Sequence, residues 1–277
     1  TVSPTYSREI LTEEYGCGLE DVLRGKEGRI FGILNGIDTN WRHMMANRMI
    51  KYPYLLTKEN IAKDNGSNIY AWEEGKKLNK LYLQKKLGLR VDQSIPLIAF
   101  VGRFDPYQKG IDIIHKMLRR INLEKFEFVI LGSGDPNWEE RFKWLAKFYP
   151  KNISCNFIFD EILAHQIYAG SDFVLIPSKF EPCGLVQMIA MFFGALPIAH
   201  VTGGLRDSIK DGETGYLFNK YSSASLEYSL NRATQIWLKD KKQHKAMVEN
   251  AMKMDFSWDR SAREYLNLYQ KLVDGEL

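Results

Sequence analysis

The middle of the chain is a succession of short, unbroken apolar runs separated by amphipathic stretches. The runs are PLIAFVG (96–102), FEFVILG (126–132), NISCNFIF (152–159), DFVLIP (172–177) and LPIAHV (196–201). Between them lie QKGIDIIHKMLRRI, WEERFKWLAKFY, DEILAHQIYAG and LVQMIAMFFGA, with spacings that suit helices; in the first of these Ile111, Ile114, Met117 and Leu118 face inward. Strands that are apolar throughout, rather than alternating, are buried on both faces. Alternation of such strands with helices predicts an α/β fold: a Rossmann-like parallel sheet covered by helices on both sides.

The flanks are less regular. SPTYSREI predicts a helix from Pro4 capped by Ser3, and the polar, Gly-broken stretch 13–28 reads as a surface connection. Residues 29–38, RIFGILNGID, read as a buried strand ending in an Asn-Gly turn. From Trp41 to about Tyr70 no period is sustained, and Asn65-Gly66 reads as the tip of a surface excursion. A helix follows from Trp72, with Leu78, Leu81, Leu83 and Leu87 on a rough apolar face and five lysines read as its solvated face. After TGGLRDSI, the segment 212–219 reads as a hairpin or edge strand, and three helical stretches follow, the last capped by Ser257.

Composition narrows the class. A chain of 277 residues, 45% hydrophobic, can bury a full core. Its net charge of +4 suits a small anionic substrate but lacks the clustered stripe of a nucleic-acid binder. Cys17, Cys155 and Cys183 are widely spaced, without CxxC or a His partner at ligand spacing, which points to a reducing compartment, no disulfide framework and no metal. No apolar run reaches membrane-spanning length and no secretory leader opens the chain, so neither a membrane nor secretion is expected.

In an open parallel sheet, ligands sit beyond the carboxyl ends of the strands, and four such ends here carry candidate chemistry. In GRFDPYQKG, Arg103 and Lys109 lie one loop apart beside a helix start, as a pyrophosphate clamp or as two surface cations. Phe159 ends a strand, where its ring could stack on a base or belong to the core. In PSKFEPCGLVQ, Glu181 precedes Gly184, Leu185 and Val186, whose amides could point together from a helix N-terminus as an anion cradle; a capped helix with a solvent-facing Glu would carry the same letters. Thr202-Gly203-Gly204 is a Gly-rich turn at the last of these ends. His165 and His200, on a helix and a strand, read as structural. The only near-match to a dinucleotide fingerprint, LGSGD, lacks the remaining glycine spacing, which argues against NAD.

Taken in order, SPTYSREI, GILNGID, GRFDPYQKGID, AHQIYAGSDF, PSKFEPCGLVQ and TGGLRDSIKD resemble the carboxyl-terminal part of bacterial glycogen synthase and plant starch synthase, from Thr1 to about Trp258. The resemblance implies the C-terminal half of a GT-B fold. It also implies a retaining glucosyltransferase that extends an α-1,4-glucan from ADP-glucose or UDP-glucose, without a metal or other cofactor, in the cytoplasm or plastid stroma. By motif, Arg103 and Lys109 would hold the diphosphate and Glu181 would face the donor glucose, as nucleophile or as stabiliser of a front-side transition state. Leu185 and Val186, with Gly184, would hold the distal phosphate; Phe159 would stack on the base; Asn35 and Thr202, Gly203 and Gly204 would line the same cleft.

The implied organisation is a remnant of the N-terminal domain and connection in 1–28, a nucleotide-sugar domain in 29–256, and a C-terminal helix in 257–277 that docks back on the N-terminal domain. That first domain, with its KTGGL motif, is expected upstream as a partner, and the chain by itself is expected to be inactive. The Arg103–Lys109 loop is one residue longer than the family's SRLxxQKG, and 51–75 is longer than the family pattern. Two other readings are a non-catalytic nucleotide-sugar-binding module and a related GT-B transferase with another acceptor. The latter usually carries a second Glu eight positions after the first, where this chain has Ile189, with Gln187 as in the glucan synthases.

Overall fold

The computed structural model describes residues 1–38, 49–56 and 69–277. Its centre is a six-stranded, all-parallel sheet: β3 (Leu97–Val101), β4 (Glu127–Leu131), β5 (Ile153–Asn156), β6 (Phe173–Ile176), β7 (Leu196–His200) and β8 (Tyr216–Phe218), in the order β5-β4-β3-β6-β7-β8. A two-residue pair, β1 (Tyr54–Leu55) and β2 (Tyr70–Ala71), lies outside it. Chain order runs outward from β3 to one edge and then from β6 to the other, so the direction of winding reverses between β3 and β6. That reversal is the topological switch point of a doubly wound sheet, where a crevice opens above the strands.

Helices cover both faces: α3 (Trp72–Lys86), α4 (Ile111–Leu118), α5 (Pro136–Phe148), α6 (Glu161–Gly170), α7 (Val186–Phe192), α8 (Gly203–Ser208), α9 (Ser223–Lys239) and α10 (Lys241–Lys253). The short α1 (Pro4–Glu9) and α2 (Glu20–Arg24) precede them and α11 (Trp258–Val273) ends the chain. Both faces of β3, β4, β6 and β7 are buried, as continuous apolar runs require. Ile111, Ile114, Met117 and Leu118 point inward from α4 as their spacing predicts. Ser3, Asp160 and Ser257 accept the capping hydrogen bonds of α1, α6 and α11. Segment 212–219 is an edge strand, β8, parallel to β7, not a hairpin.

Two expectations fail. Residues 29–38 form no sheet strand: their backbone groups pair instead with Thr1 and with Phe256, just before α11. Thr1 N donates to Phe31 O at 2.6 Å, Ile33 N to Thr1 O at 3.0 Å and Ile37 N to Phe256 O at 2.7 Å. Gly32 and Gly36 let the segment lie against Ser3 and Trp258, where a Cβ would overlap backbone. The lysine face of α3 also departs from expectation, because Lys76 and Lys80 are buried while Leu78 and Leu81 are only half-buried. The ammonium of Lys76 donates to Tyr168 O and Ala169 O (both 3.4 Å) and Phe193 O (3.1 Å), the carbonyl ends of α6 and α7. A cation at two negative helix ends replaces the solvation that periodicity assumes. Asn65-Gly66 lies outside the described residues.

Candidate active site

The loops that leave β3 and β6 meet above the switch point. Gly110 opens α4 with φ of 70°, and a Cβ there would overlap the Pro177 carbonyl, so only glycine lets the loops approach this closely. They are joined by Lys179 N donating to Gln108 O at 2.7 Å and Gln108 Nε2 donating to Phe180 O at 3.4 Å. Arg103 is held in turn, its guanidinium donating to Gln108 Oε1 at 2.9 Å. From the end of this loop Lys109 reaches across the crevice.

That reach ends on Glu181. The Lys109 ammonium lies 2.7 Å from Glu181 Oε2, and Ser178 Oγ donates to the same oxygen at 2.8 Å. Ser178 is buried and its carbonyl is 2.9 Å from His200 Nδ1, so His200 supports the loop from behind, the structural role its position suggests. Glu181 is therefore buried, oriented by two donors, and beside the small cavity of about 60 Å³ lined by Lys109, Ser178, Glu181, Gly184, Leu185 and Val186. No acceptor among the described residues takes the amides of Gly184, Leu185 or Val186. Gly184, at φ of 72°, turns the loop so that they follow one another at the head of α7. Gln187 Nε2 pins the loop by donating to Cys183 O and Gly184 O.

A second, larger cavity of about 560 Å³ continues from this one and shares Leu185 with it. Arg103 stands on its wall, as do Ile158, Phe159 and Asp160. Phe159 is 96% exposed, a ring at the cavity rim and not a core residue. The pair of cavities thus runs from a carboxylate, past two cations and three open amides, to an apolar slot edged by an aromatic ring. Such a series matches, in order, a sugar, a diphosphate and a base.

The remaining candidates lie behind this wall. Thr202, Gly203 and Gly204 are buried. Gly204 N donates to Glu181 O at 2.9 Å, and Cβ atoms at Gly203 and Gly204 would overlap the carbonyls of Glu181 and Cys183. Their glycines serve close backbone packing that holds the Glu181 loop. Asn35 sits against the same loop, its backbone amide reaching the Cys183 thiol, which burial pushes up in pKa. Sequence reasoning missed Ser178, Gln108 and the clamp from α1, because their role depends on loops distant in sequence. In that clamp Ser3 Oγ donates to Pro182 O at 2.6 Å, Thr5 N and Oγ1 donate to Asp207, and Glu9 Oε1 accepts from Gly203 N at 2.9 Å.

Comparison with known proteins agrees with this geometry. Residues 84–254 match the family model described as glycosyl transferases group 1. The chain belongs to that family. Residues 1–25 match the model of the starch synthase catalytic domain. Among curated relatives, glycogen synthase of Petrotoga mobilis is 44% identical over 99% of this chain and 54% of its own length. That of Lactococcus lactis is 42% identical over 98% and 55%. The solved catalytic domain of starch synthase IV from Arabidopsis thaliana, bound to ADP and acarbose, superposes with a TM-score of 0.85 at 34% identity, over 99% of this chain and 55% of that one. The chain spans about half the length of the curated relatives it matches. Among the described residues no helix is long and apolar enough to cross a membrane.

Proposed function

We propose that this chain is the donor-holding half of a retaining glucosyltransferase that extends an α-1,4-glucan from a nucleoside-diphosphate glucose. The observation that carries the reading is the convergence, at one switch point, of Glu181, Lys109, Arg103 and the open amides of Gly184–Val186. Lys109 and Arg103 hold the diphosphate and meet the negative charge that grows on it as the glycosidic bond breaks. Glu181 faces the glucose, where a fixed carboxylate stabilises positive charge at the anomeric carbon. Phe159 covers the base. Two side-chain cations take the task that a divalent metal performs in other phosphate chemistry, so donor binding is expected to survive chelators.

The domain reading extends the same proposal. Residues 1–28 are the end of an upstream acceptor-binding domain, 29–256 hold the donor, and α11 docks back on that domain. The face of α11 supports this: Leu266, Tyr269, Leu272 and Val273 are exposed, and only Ser261 of the helix is buried. Three free cysteines suit the cytoplasm or a plastid stroma. ADP-glucose is the expected donor, since ADP is the nucleotide bound by the starch synthase relative. Calorimetry of this chain with ADP-glucose and UDP-glucose tests the reading: saturable binding of the former, weaker for Arg103→Ala, is expected. Binding of neither nucleotide sugar would defeat it. Glucose incorporation should be absent from the 277-residue chain and appear once the upstream half is restored.

A further inference from the structure

The opposite end of the sheet carries another cavity that glucosyl transfer does not use. It measures about 500 Å³ and opens beneath the amino ends of β3 and β6, between α3 and α10. Its walls bring together four lysines, Lys76, Lys77, Lys80 and Lys241, with His244. Opposing them are Asp172 and Glu73, and both carboxylates are already committed. Asp172 is 2.6 Å from the Lys80 ammonium, and Glu73 is 2.9 Å from Lys245, which lies outside the cavity walls. Lys76 is occupied by the three helix-end carbonyls.

Two cations are left over. Lys77 is exposed and has no ion pair among the described residues. Lys241 lies with its ammonium 3.8 Å from the centre of the Trp237 ring, which Lys80 approaches from 4.7 Å, and it too has no carboxylate partner there. Beside them His244 Nδ1 is buried without a hydrogen-bond partner. Uncommitted positive charge gathered around one cavity raises the local concentration of anions there. Trp72 and Val248 add an apolar wall, and the volume exceeds what a bare oxyanion fills.

We propose that this cavity binds a small phosphoryl-bearing anion, held by Lys77 and Lys241, at the pole of the domain opposite the candidate active site. The site stands apart from the glucosyl-transfer reading and does not depend on it. It has the charge of a phosphate receptor, with ammonium groups as point charges around the phosphoryl oxygens.

Two probes test it on the 277-residue chain by calorimetry: inorganic phosphate and ribose 5-phosphate, at fixed ionic strength. A dissociation constant on the order of 1 mM or tighter is expected for at least one probe. Their ratio distinguishes a free-phosphate site from one that also holds an organic body on the apolar wall, and either ratio upholds the site. Because the candidate diphosphate clamp could also take phosphate, three proteins are compared. The Lys77→Ala/Lys241→Ala variant should lose about tenfold or more in affinity, since each loses a charge-assisted contact. Both side chains are exposed, so its far-UV spectrum and melting should match the parent. Arg103→Ala/Lys109→Ala should bind the probe within twofold of the parent. Absence of saturable binding, or binding lost only with Arg103 and Lys109, overturns the proposal.

Discussion

Strand β6 is bracketed by two carboxylates, each paired to a lysine from another element: Asp172 with Lys80 at its foot and Glu181 with Lys109 above its head. The distances, 2.6 and 2.7 Å, are nearly the same. What differs is where the other valences of each carboxylate go. Asp172 Oδ2 also accepts from Leu97 N at 2.8 Å, which ties β6 to β3, and Lys80 donates onward to Gln93 O at 3.3 Å. That pair is a rivet in the sheet. Around Glu181 a second donor is a hydroxyl, the third neighbour is a cavity, and the adjoining amides have no acceptor among the described residues. A pair whose partners are all structural stabilises; a pair beside open donors is arranged for something that arrives. Helix α3 supplies the first from a rigid surface, whereas two loops supply the second, where alternative contacts can form.

Mutating the two ends should separate them. The largest effect is expected from Glu181→Ala in a chain extended upstream to the length of its relatives: glucan synthesis should fall by about three orders of magnitude, roughly 4 kcal/mol of barrier. ADP affinity should stay within a few-fold, because in the proposed reading Glu181 faces the sugar and not the phosphates. Retention of a tenth of the parent turnover would remove Glu181 from the reaction and blur the contrast between the two pairs.

At the foot, Asp172→Ala strands Lys80 in a buried site. Urea unfolding should show a loss of about 3–5 kcal/mol, the cost of an uncompensated buried charge. Glu181→Ala should cost far less by the same measurement, since Lys109 can turn to the cavity. Equal losses at the two ends would mean that both pairs are structural.

Lys109→Ala should sharpen the comparison further. A charge-assisted contact to a partly buried phosphate is worth about 1.5–3 kcal/mol, so kcat should drop on the order of tenfold to a hundredfold. Donor KM should change less, because the contact strengthens as charge develops on the leaving diphosphate. Unchanged kcat with a raised KM would make Lys109 a docking charge.

The last test concerns Lys76, and the sign of its effect follows from burial. Desolvation lowers its pKa from 10.5 to about 7, with Asp172 acting the other way and Lys80 in the same direction. A folded-state value below the unfolded one means the unfolded chain binds more protons between pH 7 and about 10.5. Folding stability should therefore rise with pH across that window relative to Lys76→Met, and run parallel to it below pH 7. Parallel curves throughout, in denaturant titrations at several pH values, would show that the three carbonyls hold the ammonium charged at no net cost.

Much of this protein could be read from its letters. Apolar runs of five or so residues alternating with amphipathic stretches are enough to demand a parallel sheet, because no other arrangement buries both faces of each strand. The strand-end positions of Arg103, Lys109, Glu181 and Phe159 followed from that alternation, since each lies at the end of a run or in the loop after it. Three things needed the tertiary structure. Lys76 and Lys80 read as solvated because periodicity counts lysine as polar, and only the packing of α3 on the ends of α6 and α7 supplies the carbonyls and the carboxylate that let them be buried. The run at 29–38 has a strand's composition, yet its hydrogen bonds go to Thr1 and Phe256, partners that sequence cannot nominate. The pairing of Lys109 with Glu181, and the placing of Thr202–Gly204 behind it, join residues from separate strand ends. Local pattern is set by what each side chain does to its own few neighbours. Which loops then share a crevice is set by strand order, and strand order is a property of the whole chain.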